Sequence, residues 1–157
     1  MRSVWLIYCL IAGAALLLGG CSNEGCMNNR NSIPMAGFYR LADEEKLSVS
    51  KLEIYGVGSP GDSLLLDTAR SSNQVYLPLR GMQPSAQFVF KAGNLTDTLT
   101  IDYNSYPFFD GEDCGAIWRY ELTSVSYLHR LIDSVFVTDP LITNVERERL
   151  MIFLKTE

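Results

Sequence analysis

From Met35 to Lys155 the chain alternates apolar and polar positions with a period of two. Turn chemistry breaks the pattern roughly every 8–12 residues, the rhythm of a strand-rich chain. Met35–Leu41 reads as a first strand. Val49–Val57 follows, with Leu52 and Ile54 on one side and Glu53 and Tyr55 on the other; Gly58-Ser59-Pro60-Gly61-Asp62 then stops it. Ser63–Asp67 is a short run. Gln74–Leu79 is a strand that Pro78 confines to an edge or a bulge. Gln87–Lys91 alternates cleanly, and Ala92-Gly93-Asn94 is a hairpin turn. Leu95, Asp97, Leu99, Ile101 and Tyr103 then stand in register on one strand. Ala116–Tyr127, Leu131–Val137 and Arg149–Lys155 complete the set. Val145–Leu150 could close one helical turn, but its continuation into Met151–Leu154 favours a strand start. The pattern predicts an all-β fold, an antiparallel immunoglobulin-like β-sandwich of about eight or nine strands, because each run has one apolar face to bury.

The chain has 157 residues, of which 47% are apolar and 20% charged, so a disordered chain is excluded and one domain is the expectation. The net charge is −5, with no basic block, which argues against nucleic acid as a partner.

The N-terminus reads as an address. Arg2 precedes an uncharged run, Val4–Leu18, that is short for a membrane span. Leu18-Gly19-Gly20-Cys21 follows and looks like a bacterial lipobox, in which Cys21 takes the lipid and becomes the mature N-terminus. Residues 1–20 are then the lipoprotein signal peptide, 21–34 a polar lipidated tether and 35–157 the β-sandwich domain. Of the four cysteines, Cys9 leaves with the signal and Cys21 carries the lipid. Cys26 and Cys114 remain in a compartment that permits disulfides, and a bridge between them is the economical pairing. Two buried free thiols or a metal pair are the alternatives, although two cysteines with one histidine do not make a zinc site.

Read in order, Cys21 with Cys26, Leu52–Gly58, Leu77-Pro78-Leu79, Phe88-Val89-Phe90, Asp97–Tyr103, Cys114-Gly115, Ile132–Val135 and Pro140–Thr143 carry a resemblance. The chain resembles a family of small lipoproteins of unknown function from Bacteroidota-type bacteria. The resemblance implies a lipid-anchored, outer-membrane-associated β domain, facing the periplasm or the cell surface, and supplies no catalytic residues.

Candidate chemistry is sparse. His129 is the only histidine; Asp133 and Ser134 are its nearest potential partners, and a polar loop residue is the simpler reading. Asp110-Gly111-Glu112-Asp113 does not have EF-hand spacing and reads as a solvated turn, so no metal and no cofactor is expected. Tyr106, Phe108, Phe109 and Trp118 are the candidate binding residues, as a protein hot spot or a stacking platform for sugars. For Trp118 the competing reading is packing on the disulfide in the core. Asp followed by Ser or Thr and an apolar residue occurs four times, which nominates Ser63, Thr68, Thr98 and Ser134 for O-glycosylation; strand-opening turns produce the same triplets. The functional expectation is a non-enzymatic outer-membrane lipoprotein. It would serve as accessory to an outer-membrane β-barrel or envelope protein, reaching the membrane through Cys21. The alternative is a glycan-binding module built on exposed aromatic residues.

Overall fold

Successive side chains of a strand point to opposite faces, so a chain of half-apolar strands is stable only when a second layer covers the apolar side. The computed structural model describes residues 31–58, 62–112 and 114–155. The expected signal segment, Cys21 and Cys26 lie outside the described residues. Among the described residues there are ten strands: β1 (Met35–Arg40), β2 (Leu52–Gly56), β3 (Ser63–Leu66), β4 (Gln74–Tyr76), β5 (Ser85–Ala92), β6 (Leu95–Phe109), β7 (Ala116–Ser126), β8 (Ile132–Val137), β9 (Leu141–Ile142) and β10 (Glu148–Leu154). They form a small sheet in the order β4-β1-β10-β8 and a larger one in the order β3-β2-β5-β6-β7-β9. The all-β sandwich is as the alternation predicts.

The core lies between the two inner faces. Leu52, Ile54, Phe88, Phe90, Leu99, Ile101, Tyr120 and Leu122 come from the large sheet, and Ala36, Phe38, Ile132, Leu150 and Ile152 from the small one. Phe38, Phe90, Ile54, Leu99 and Ile152 are fully buried, and each such side chain contributes about 1.5–3 kcal/mol of transfer free energy. The body begins before Met35: Ser32 and Pro34 are buried, and the Pro34 carbonyl accepts a hydrogen bond from the Leu77 amide at 3.0 Å. The polar composition of residues 21–34 masks this entry into the fold.

Three features depart from the expected all-antiparallel set. β1 and β10, the first and last strands, pair in parallel, from Met35 opposite Glu148 to Arg40 opposite Leu154. This contact joins the two ends of the domain and leaves no local signature. The count is ten strands, because Leu141–Ile142 forms a short edge strand against Tyr120 and Glu121. Finally, β6 continues through Tyr106-Pro107-Phe108-Phe109, a segment that proline would ordinarily end. Pro107 is tolerated because the β5–β6 ladder ends where Ser85 stands opposite Asp102; past that point the β6 ladder runs only with β7, and the missing N–H faces the unpaired side. β4 lies on an edge and ends ahead of Pro78, as the proline requires.

One polar side chain sits on the inner face. Asp97 is 0% exposed and stands on β6 opposite Phe90. One carboxylate oxygen accepts from the amides of Thr98 at 2.9 Å and Leu128 at 2.8 Å. The other accepts from Arg130 at 2.8 Å and from Leu131 and Ile132 at 3.0 Å. Residues 127–131 carry the chain from β7 in the large sheet to β8 in the small one. His129, with φ of 58°, takes the left-handed conformation that curls successive N–H groups toward a single anion. Burial pushes the Asp97 carboxyl up, but the amides of Ile132, Leu131, Leu128 and Arg130 outweigh it and hold the group below its ordinary value.

A group whose folded pKa is depressed contributes stability above its unfolded value and loses it as pH falls through the folded value. Asp97→Asn puts amide hydrogens against backbone donors. It is expected to cost on the order of 3 kcal/mol and to lower the Tm by roughly 10 °C at neutral pH. Thermal melts across pH should show the gap between wild type and variant narrowing as the pH drops through the acid range. A constant gap would contradict an ionised Asp97.

Candidate functional site

The surface with the densest aromatic character is the distal half of the β6–β7 hairpin. It is positioned by residues 77–84, which follow β4. Leu77 and Leu79 enter the core while Pro78 and Arg80 stay exposed, the alternation of an extended segment. Two tyrosines fasten this segment to the large sheet. The Tyr103 hydroxyl donates to the Arg80 carbonyl at 3.0 Å and accepts from the Arg80 amide at 3.1 Å. The Tyr120 hydroxyl donates to the Leu79 carbonyl at 3.2 Å, and burial raises its pKa. The two rings meet edge to face with centroids 5.4 Å apart.

These ties lay Gly81 flat against the Trp118 indole. A Cβ at Gly81 would stand 2.3 Å from the indole ring, so glycine alone permits the contact. The amide of the next residue, Met82, donates to the Ser105 hydroxyl at 3.0 Å. Trp118 is opposite Pro107 in the ladder, and Ser105, Pro107 and Phe109 alternate onto the same side of β6. That side carries Met82 (83% exposed), the half-buried Trp118 and Phe109 (65% exposed). Tyr106 and Phe108 occupy the opposite side. There the Arg119 guanidinium lies over the Phe108 ring, 3.1 Å from its centroid, and half covers it. The four aromatic residues singled out from the sequence therefore share one hairpin but divide between its two faces. They do not make a single planar row.

The hairpin turn is closed by its own backbone: the Asp110 amide donates to the Gly115 carbonyl, and the Gly115 amide to the Gly111 carbonyl, each at 2.9 Å. Asp110 also accepts from the Asn144 side chain at 2.7 Å, so this carboxylate serves the link to the 143–147 segment. Cys114 is buried in the turn. It lines a cleft of about 700 Å³ with Asn31, Ile33, Gly81, Trp118 and Tyr120. A second cleft of about 680 Å³ lies beside it, lined by Val57, Ser63, Arg80, Gln83, Gln87 and Tyr103.

His129 is exposed. Its ring rests against Tyr127, with centroids 4.4 Å apart, and Nδ1 meets the Asp133 carbonyl at 3.1 Å. The partner is a backbone oxygen instead of a carboxylate, and the residue's structural part is its left-handed backbone. Among the described residues no group of three or more His, Cys, Asp or Glu side chains converges on a point that could hold a metal. On the outer side of the small sheet Glu148 accepts from the Tyr39 hydroxyl and pairs with Lys46 at 2.8 Å. Burial and the Glu148 charge together push the Tyr39 hydroxyl up to about 12. Gly37 leaves the room this cluster needs, since a Cβ there would sit 2.4 Å from the Glu148 carboxylate.

Of the candidate glycosylation residues, Ser63 and Thr68 are exposed, while Thr98 and Ser134 are half-buried within strands. In the triplet at Thr98 the aspartate is Asp97, which faces the core. Sequence reading did not single out Asp97, Gly81, Met82 or Arg119. Only Asp97 carried a signal, a charged residue in register with four apolar ones. No helix among the described residues is long and apolar enough to cross a membrane.

Gly81→Ala has no room beside the indole and must displace Trp118. The expected cost is about 1–3 kcal/mol, with a shift in tryptophan emission. An unchanged emission spectrum and Tm would contradict the packing described.

No curated protein and no solved structure matches this chain. Residues 51–154 match a family of unknown function, DUF6452, over a span from the residue before β2 to the last residue of β10. A match that covers well over half of the chain places the protein: it belongs to the DUF6452 family.

Proposed function

We propose that this protein is a non-enzymatic accessory lipoprotein of the outer membrane, tethered through Cys21, that binds a membrane β-barrel or other envelope protein. The observation that carries the reading is the state of its sheet edges. β8 ends the small sheet and presents Phe136, which is 61% exposed, beside half-buried Val135 and Val137. β3 ends the large sheet and presents Leu64, 55% exposed. Proteins ordinarily blunt such edges with charge or proline, and an apolar edge is a template for strand addition. β8 carries no lysine or proline, and its one charge, Asp133, stands near its start, away from Phe136. The lipobox supports the anchor. Buried Cys114 supports a Cys26–Cys114 bridge joining the tether to the body. The division of the aromatic residues between two faces weakens the sugar-platform alternative, which needs coplanar exposed rings.

The test is affinity purification of the tagged lipoprotein from gently solubilised outer membranes. One envelope protein should co-elute in near-equal amount. Phe136→Lys should reduce its recovery at least roughly tenfold without lowering the Tm, since the residue is exposed. A protein that elutes alone, or a partner indifferent to Phe136→Lys, would contradict the reading.

A further inference from the structure

We infer that the strip formed by Met82, Trp118, Pro107 and Phe109 is a membrane-docking surface that rests on the leaflet holding the lipid anchor. The inference rests on lipidation of Cys21, as proposed above, and goes beyond it by naming the face that the domain turns to the bilayer. Chain length supplies the first argument. The described chain begins at Asn31, which lines the same cleft as Cys114, Gly81 and Trp118. Ten residues separate Cys21 from Asn31, a reach of at most about 35 Å when fully extended. If Cys26 is joined to Cys114, five residues separate the lipid from the hairpin turn, and the reach falls to about 18 Å. Either tether holds this end of the sandwich near the headgroups.

Surface chemistry supplies the second. Met82 at 83% and Phe109 at 65% are the most exposed large apolar side chains among the described residues, and both belong to this strip. Met82 also sits at φ of 66°, a backbone position where glycine is the default, so water-facing display of this thioether has no packing reason. Trp118 lies between them, with the amphipathic ring that favours a membrane interface. The flanking carboxylates decide which lipid suits. Glu112 is exposed in the adjacent turn and Asp110 is half-buried there, while Arg80, two residues before Met82, is an exposed cation on the same segment. With both signs present, contact through apolar insertion into a zwitterionic surface fits better than attraction to anionic lipid.

The full lipidated protein can be reconstituted in phosphatidylcholine–phosphatidylethanolamine vesicles, with and without brominated acyl chains. Of the two tryptophans, Trp5 leaves with the signal, so mature-chain emission reports Trp118 alone. Trp118 emission should be quenched by the brominated lipid. Phe109→Ser combined with Met82→Ser should reduce that quenching by roughly half or more, while intact mass and flotation show the anchor in place. Both positions are exposed, and an unchanged far-UV spectrum excludes misfolding as the cause. An acylated, floating protein whose Trp118 is unquenched, or whose quenching ignores the double substitution, overturns the docking surface and leaves the anchor standing. An unacylated N-terminus overturns both.

Discussion

A sandwich of two sheets has to move its chain from one layer to the other, and here one of those passages, from β7 to β8, is held by a single buried carboxylate. Asp97 stands on the inner face of β6 and takes the amides of Leu128, Arg130, Leu131 and Ile132, together with its neighbour Thr98. A carboxylate in an apolar core is unfavourable on its own. Several charge-assisted hydrogen bonds offset the desolvation and convert a loop that would expose its amides into a fixed corner. The exact start of β8, and with it the pairing of β8 on β10, follows from where that corner ends. His129 contributes its backbone conformation to the same corner.

Fixing the crossover has consequences at both ends of the molecule. β8 begins at Ile132, immediately after the last amide bound by Asp97, and becomes the outer strand of the small sheet with Phe136 toward solvent. At the other end β6 and β7 run past the limit of β5, and the segment after β4 folds over them through Tyr103, Tyr120 and Gly81. The proposed protein-binding edge and the proposed membrane-facing strip thus belong to different strands and different ends of the hairpin. An anchored domain could use both at once.

Much of this was legible in the residues. The alternation located every strand longer than two residues, since one-sided burial imposes a period of two. Pro78 limited β4 to an edge or a bulge, and the strand lies at an edge. The β1–β10 pairing was not legible, because a parallel contact between distant ends writes no local pattern. β9, with two residues, is too short to show a period. The aromatic run around Pro107 stands out in the residues, but the continuation of β6 through it depends on where the β5 ladder ends. Asp97 was visible as a charged residue in register with Leu99, Ile101 and Tyr103. What could not be seen was its set of partners, because backbone amides have no sequence identity. Met82 gave no sign at all, for its exposure depends on where Gly81 meets Trp118.

The central claim is that an ionised Asp97 holds the β7–β8 crossover between the sheets. The direct measurement is an NMR pH titration that follows the Asp97 carboxyl carbon together with the amide protons of Leu128, Arg130, Leu131 and Ile132. The account predicts a carboxyl that stays ionised below the ordinary aspartate range, with all four amides shifting in step as it protonates. A carboxyl that titrates at the ordinary value, or amides that ignore its protonation, would contradict it.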